Sequence, residues 1–537
     1  MNIISRWFND VFISAFITFV YVMLNEILTT KFKLYFSFLF ALFALPIIIF
    51  SQYHFNHFIN LKSPNTMFYY GSMTTMLIAI AYGLNSIKFA SFGNNFKYIL
   101  MFIASFILTS QYYIGKIKIG VIHSVTGATN AIPVVNMLKL QVLKANVNGG
   151  INGKKIDAEF IDGQSNPEVY KNEVKRMINE GIKIIFGAWT SNDRKAIKPI
   201  IEQNDALLFY PLQYEGLECS PNIIYTGSTP NQQLEVGVNW ALHNLGKEFY
   251  LVGTDGVYAR NANKIMRTVI EESGGKIIGE EYFPYGSQDY TQTIDKVMAL
   301  KSCIVLNTIN GSVANIAFFK TLYEKYIKKM EGKTFVPLAD VYPVISFSIT
   351  EHALSEMKPE HIVGHYAVWS YFQTIRSDVN KEFVNEYKSY YGKDAVINDP
   401  MESSYIGFNL WARAVSELDT NDDLAAIKNH MTENVYNAPE GEVILNNNHH
   451  LSKYVRVGMI NKQRLFDIVY NTIGTVDPIT WNKYLPGTKG LVCDHGESGY
   501  GSKFAHGPLT ISNPTAYQVG QIHTSGNIIN GTKKNIL

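Results

Sequence analysis

Along its first 114 positions the chain is almost uncharged, and four apolar runs of 17 or 18 residues follow one another at 11–28, 34–51, 67–84 and 98–114. A helix that crosses a bilayer needs about 20 mostly apolar residues, with a range of roughly 17–25, so each run reaches the lower end of that range. The second run contains Pro46, which a membrane helix tolerates when its neighbours satisfy the freed carbonyl. The pattern predicts an all-α, four-helix transmembrane region over residues 1–114.

From Lys116 the period changes. Strands are predicted at 117–122, 156–161, 182–186, 206–210 and 249–253, with helices between them at 131–147, 168–180, 193–203 and 232–244. Such alternation predicts an α/β fold of parallel sheets with helices on both faces. In these sheets ligands bind beyond the carboxyl ends of the strands. Those ends carry His123-Ser124-Val125-Thr126-Gly127, Asp162-Gly163, Gly187-Ala188-Trp189-Thr190-Ser191, Tyr210-Pro211-Leu212-Gln213-Tyr214-Glu215-Gly216 and Gly253-Thr254-Asp255-Gly256-Val257-Tyr258. Rings, hydroxyls and amides dominate and charge is scarce, a mixture that suits a small, neutral, polar ligand. The same residue types also end strands for turn chemistry alone.

Charge separates the two parts further. Before Gly115 stand six basic and two acidic residues, net +4; of the chain's 47 basic and 45 acidic residues this leaves 41 and 43, net −2. A part at −2 without a basic block has no electrostatic footprint for nucleic acid. Lys31, Lys33, Lys88 and Lys97 lie in the first and third loops, against Arg6 and Lys62 at the N-terminus and second loop. Positive residues favour the cytoplasm, so the large C-terminal part is expected outside the cytoplasmic membrane. Lys97 and the apolar stretch 98–109 resemble a signal sequence without a cleavage site, and so an uncleaved anchor.

Enzyme signatures are missing from the strand ends: no G-x-S-x-G, H-E-x-x-H or G-x-x-x-x-G-K-[ST] occurs. Gly149-Gly150-Ile151-Asn152-Gly153 reads as a helix stop followed by an Asn-Gly hairpin turn. His449-His450 reads as a surface-loop pair rather than a metal site. Three cysteines match no zinc spacing; Cys303, in an apolar run, reads as a buried thiol. No catalytic residue, metal or cofactor is expected.

Nine segments in order resemble a known family. They are Gly120-Val121-Ile122-His123-Ser124 with Thr126-Gly127, Val147-Asn148-Gly149-Gly150 with Gly153-Lys154-Lys155-Ile156, and Phe186 to Ser191 with Arg194-Lys195. Next come Tyr210 to Gly216 with Glu218-Cys219-Ser220, Tyr225-Thr226-Gly227 with Pro230-Asn231-Gln232-Gln233, and Asn310-Gly311. Last are Gly364-His365-Tyr366 with Tyr371-Phe372-Gln373, Asn398-Asp399-Pro400-Met401-Glu402, and Ala438-Pro439-Glu440-Gly441 with Asn448 to Ser452. From Lys116 to about Gly458 the chain resembles the type 1 periplasmic binding proteins, in the branch that holds urea-binding components of ABC importers and short-chain amide binders.

The resemblance implies two α/β lobes joined by three crossovers that close on a ligand, over residues 115–476. Lobe 1 is expected at about 115–238 and 362–435, lobe 2 at about 239–361 and 436–476. It implies a cleft lined by Trp189, Ser191, Tyr210 and Tyr258, with Gln213, Tyr214, Asn310 and Glu402 as further candidates. Asn398-Asp399-Pro400 reads equally as the cap of a helix from about 401 to 415. Two departures stand out. Gly256 replaces the tyrosine that relatives usually have, which removes a wall and enlarges the pocket. Ser312 follows Asn310-Gly311 where the urea branch has aspartate, which removes an acceptor. Cys219 and Cys493 lie in loop-like contexts, and an extracytoplasmic location would permit a disulfide between them. The extension 477–537 begins with a stretch, 481–494, that resembles the urea branch's own extension and is expected to wrap a lobe; beyond about 499 a loose surface segment is expected. The implied function is capture of urea or a short amide and its delivery to ABC permease and ATPase subunits. A sensor of amides and a branched-chain amino acid binder are the alternatives, and an amidohydrolase lacks a visible nucleophile or metal constellation.

Overall fold

The computed structural model describes residues 116–432 and 434–495. The four apolar runs and the segment beyond 499 lie outside the described residues; no described helix is long and apolar enough to cross a membrane.

The chain builds its first sheet from β1 (Ile117–His123), β2 (Ile156–Asp162), β3 (Ile184–Gly187), β4 (Leu207–Tyr210) and β5 (Ile223–Tyr225). Between them run α1 (Ile132–Val147), α2 (Pro167–Asn179) and α3 (Ser191–Gln203). The order is β2-β1-β3-β4-β5, and every pairing is parallel. Covering both faces buries the central strands, so six of the seven residues of β1 are buried and it reads as an apolar run rather than an alternation. The Asn-Gly turn forms as expected: Ile151 and Lys154 pair across Asn152 (φ 49°) and Gly153 (φ 77°), the left-handed pair that a tight hairpin turn demands.

After β5 the chain crosses to a second sheet through α4 (Pro230–Asn244), β6 (Glu248–Thr254), α5 (Val257–Glu272), β7 (Lys276–Phe283), α6 (Thr291–Ala299), β8 (Ile304–Thr308), α7 (Ser312–Met330), β9 (Val344–Ser346) and β10 (Tyr366–Trp369). It then returns to the first lobe for α8 (Asp378–Tyr391) and α9 (Asp399–Leu418). A small antiparallel sheet of β11 (Val435–Ala438), β12 (Gly441–Leu445) and β13 (Leu451–Ser452) packs into the first lobe's core with Phe186 and Trp411. The last two strands, β14 (Arg456–Ile460) and β15 (Phe466–Asn471), join the second sheet in the order β15-β14-β10-β9-β8-β6-β7. Because β10 belongs to the second sheet, the second crossover lies at Ser370 rather than at 362. Because β13 still packs on the first lobe, the third lies near Lys453 rather than at 436.

Buried polar groups tie the three crossovers together. Lys453, 0% exposed, donates from Nζ to the Thr226 carbonyl (2.8 Å) and Ser403 Oγ (3.1 Å) and pairs with Glu440 at 3.5 Å. Ser228 and Ser370 share a hydrogen bond of 3.0 Å, and Arg456 donates to the carbonyls of Ser370 and Glu440. Glu402 belongs to this hub rather than to the wall of the cavity between the lobes: its Oε1 accepts from the Glu440 amide at 3.2 Å. Burial, then the neighbouring Glu440 charge, pushes its carboxyl up.

Beside this hub Glu351 is 1% exposed, accepts from the Gln373 amide, and burial pushes its pKa up to about 8. The folded protein therefore holds a proton there that the unfolded chain releases near its ordinary value. That group's stabilisation is full at low pH and is lost as pH rises toward 8. The melting temperature of the full chain is expected to fall between pH 6.5 and 8.5, and Glu351→Gln to flatten that limb. An identical slope in the variant would remove Glu351 as its cause.

Candidate functional site

The carboxyl ends of both sheets face each other across a cavity of about 70 Å³. In the first lobe the approach starts at Gly187, where an added Cβ would lie 2.2 Å from the Ile122 carbonyl oxygen. Ala188 follows in the left-handed region at φ 63°, a conformation that costs a non-glycine residue about 1–3 kcal/mol. This turn presents Trp189, then Thr190, which caps α3. Thr190 Oγ1 accepts from the Asp193 amide (3.1 Å) and Asp193 Oδ2 accepts from the Thr190 amide (2.9 Å). Ser191 opens the helix, so the helix's positive end adjoins the cavity wall.

Behind Ser191 lies a fully buried ion cluster. Arg194, 0% exposed, donates Nη2 to Glu215 (3.0 Å) and Nε to Glu218 (2.9 Å), and its guanidinium lies over the rings of Tyr210 and Tyr214. Burial opposes its charge, but the charges of Glu218 and Glu215 more than offset that, and its pKa moves up. Burial raises the Glu218 carboxyl and the Arg194 charge outweighs it, so the net direction is down. Ser191 Oγ donates to Glu215 at 2.5 Å and accepts from Arg194 Nη1 at 3.2 Å.

The structure brings six of the eight candidates to the cavity wall: Trp189, Ser191, Tyr210, Gln213, Tyr258 and Asn310. Tyr214 and Glu402 are not among the lining residues. Tyr214 stacks on Tyr225 and bonds His450 Nε2 at 2.5 Å. The histidine pair is not on the surface: His449 is 4% and His450 0% exposed, and burial pushes His450 down to about 3, so it packs as a neutral ring. A strong bond and a 4.1 Å stack on Tyr225 repay its burial.

The second lobe supplies residues that the strand-end reading passed over: Ser348 and Thr350 after β9, His352 and Trp369. The polar positions of Ser346-Phe347-Ser348-Ile349-Thr350 alternate, which was the available signal. Burial lowers His352, which keeps it uncharged. Among the described residues no Asp, Glu, Lys or Arg lines the cavity. Gly256 does not open a larger pocket; an added Cβ there would lie 2.4 Å from the Tyr285 hydroxyl, which fills the room. The lobes are closed on one another. Gln213 Nε2 donates to the Phe347 carbonyl at 3.1 Å, and a Cβ on Gly311 would lie 2.9 Å from the Ala128 oxygen. Asn398 caps α9, accepting from the Met401 amide, while Asp399 accepts from the amides of Ser370 and Tyr371 at the crossover.

The segment after Asp477 runs along the back of the site loop. The Leu217 amide donates to the Thr480 carbonyl (2.8 Å), Asn482 to Glu235 (2.7 Å), and Cys493 is joined to Cys219 by a disulfide.

Two α/β lobes joined by three crossovers and closed over a small polar cavity define a ligand-capturing clamshell. The chain belongs to the periplasmic binding protein domain family, which it matches over residues 117–487. Among curated proteins it is 24% identical over 198 residues to a Leu/Ile/Val-binding protein homolog of Brucella melitensis, covering 35% of this chain and 53% of that one. It is 34% identical over 116 residues to a protein named limonene hydroxylase from Geobacillus stearothermophilus, covering 22% and 21%. The chain thus spans about half of the first and about a fifth of the second. Among solved structures, a solute-binding protein of an ABC transporter from Rhodopseudomonas palustris, crystallised with 3,4-dihydroxybenzoic acid, superposes with a TM-score of 0.60 at 19% identity, covering 68% of this chain and 99% of that one.

Proposed function

We propose that the protein captures urea or a short-chain amide outside the cytoplasmic membrane by hinge closure and hands it to an ABC permease. The observation that carries this reading is the cavity itself, about 70 Å³ and without a charged side chain among the described residues. Drug-sized ligands occupy sites of roughly 300–1,000 Å³. An amino acid needs acceptors for its ammonium and donors for its carboxylate, and a benzoate needs donors for its carboxylate; an uncharged wall serves a neutral molecule better. Ligand favours the closed state because only closure brings both lobes onto it. Urea has four heavy atoms, so at a ceiling of about 1.5 kcal/mol per atom its best affinity is roughly −6 kcal/mol, or tens of micromolar.

The N-terminal runs support a membrane tether, on their hydropathy alone. A leucine-type ligand is the second reading, favoured by the Leu/Ile/Val-binding relative. A thermal-shift panel on the full chain separates them. Urea, formamide or acetamide should raise the melting temperature while leucine and 3,4-dihydroxybenzoate leave it unchanged; a shift with leucine and none with any amide would reverse the assignment.

A further inference from the structure

Five of the seven hydroxyl groups that line the cavity already donate their protons inside the protein; Ser312 and Thr350 are the other two. Thr190 Oγ1 donates to Asp193 (2.8 Å), Ser191 Oγ to Glu215 (2.5 Å) and Tyr210 Oη to the Trp189 carbonyl (3.1 Å). In the second lobe Tyr258 Oη donates to Gln233 Oε1 (3.2 Å) and Ser348 Oγ to the Ile309 carbonyl (2.6 Å). Gln213 is turned the same way. Its Nε2 is held by the Phe347 carbonyl, and its buried Oε1 has no hydrogen-bond partner among the described residues. A hydroxyl has one proton and two lone pairs, so what these groups can offer a ligand is lone pairs.

We infer that this cavity selects its ligand by N–H donors, and that Glu215 sets the selection by holding the Ser191 proton away from the ligand. The inference rests on the amide reading and deepens it. Urea and primary amides bring N–H groups to this acceptor set, and in the first turn of α3 the amides of Ser191 and Asn192 remain for the carbonyl oxygen, that of Asp193 being taken by Thr190 Oγ1. A ligand that brings only acceptors sets lone pair against lone pair. Unsatisfied Gln213 Oε1 gives the choice its weight, because a buried acceptor left without a donor is costly. Glu215 is a positioning residue: it touches Ser191 and Arg194.

Urea, acetamide and acetone form a ladder of one size, with four, two and no N–H groups on four heavy atoms. Calorimetric titration of the full chain should give acetone an affinity at least about tenfold below acetamide, since a site built for an N–H rejects the analogue that lacks it. In Glu215→Gln the side-chain amide can donate to Ser191, whose proton is then free to turn to the ligand, and the acetamide-to-acetone ratio should shrink at least threefold. A structural role alone would weaken both ligands equally and leave the ratio unchanged. Acetone matching acetamide in the wild type overturns this inference while the amide class stands. Failure of all three to bind overturns the amide class and the inference with it. The wild-type ladder decides the matter even if the variant does not fold.

Discussion

Arg194→Met should be among the most damaging single changes in the described part of the chain, at about 3–5 kcal/mol of stability. The guanidinium is 0% exposed and is held by Glu215 at 3.0 Å and Glu218 at 2.9 Å. Methionine keeps much of the contact with the Tyr210 and Tyr214 rings but removes the nearest counter-ion of two buried carboxylates, leaving them only the more distant Lys195. The loss is thus a desolvation penalty, and it should be partly reversible: adding Glu218→Gln to Arg194→Met should recover some of the lost melting temperature. Thermal unfolding of the three proteins checks this. A single variant as stable as the wild type would mean that Lys195, which lies 3.6 Å from Glu215 and 3.8 Å from Glu218, takes over the pairing.

Removing the disulfide should rank with it. Cys219 and Cys493 are separated by 274 positions, and closing so long a loop restricts the unfolded chain by roughly 5.6 kcal/mol in the chain-entropy view. Engineered and native bridges commonly deliver less, so a loss of about 2–5 kcal/mol is expected for Cys219→Ser with Cys493→Ser. The effect should reach the site as well. Gly216 packs so closely on the Thr480 carbonyl that a Cβ would lie 2.5 Å away, and the same loop carries Gln213 and Glu215. Amide affinity should therefore drop together with stability. Equal unfolding midpoints for the oxidised wild type and the double variant would show that the backbone bonds of the strap suffice without the bridge.

The fold was legible to the extent that it is local. Strand and helix periods located β1 to β4, β6 and the helices between them to within about three residues, because a buried parallel strand and an amphipathic helix each carry their own pattern; β5, three residues long, is too short to carry one. The cavity wall was legible where strands end, at Trp189, Ser191, Tyr210 and Tyr258. What escaped depends on partners distant in sequence. Nothing near Lys453 announces that it will reach the Thr226 carbonyl, 227 positions away. Nothing near His450 announces Tyr225. Glu402 read as a ligand-side acid because it follows a strong motif, yet α9 turns it to the crossover hub. The direction in which each hydroxyl donates is likewise set by tertiary acceptors such as Glu215 and the Ile309 carbonyl, and residue type alone cannot encode it.

A small neutral amide is expected to bind in the cavity between the lobes. Equilibrium dialysis of labelled urea against the full chain, with Ser191→Ala and Tyr210→Ala beside the wild type, gives the decisive test. One urea per chain, bound at tens of micromolar or weaker and lost or strongly weakened in both variants, is the predicted result. No saturable uptake by the wild type, or uptake that both variants retain in full, would contradict it.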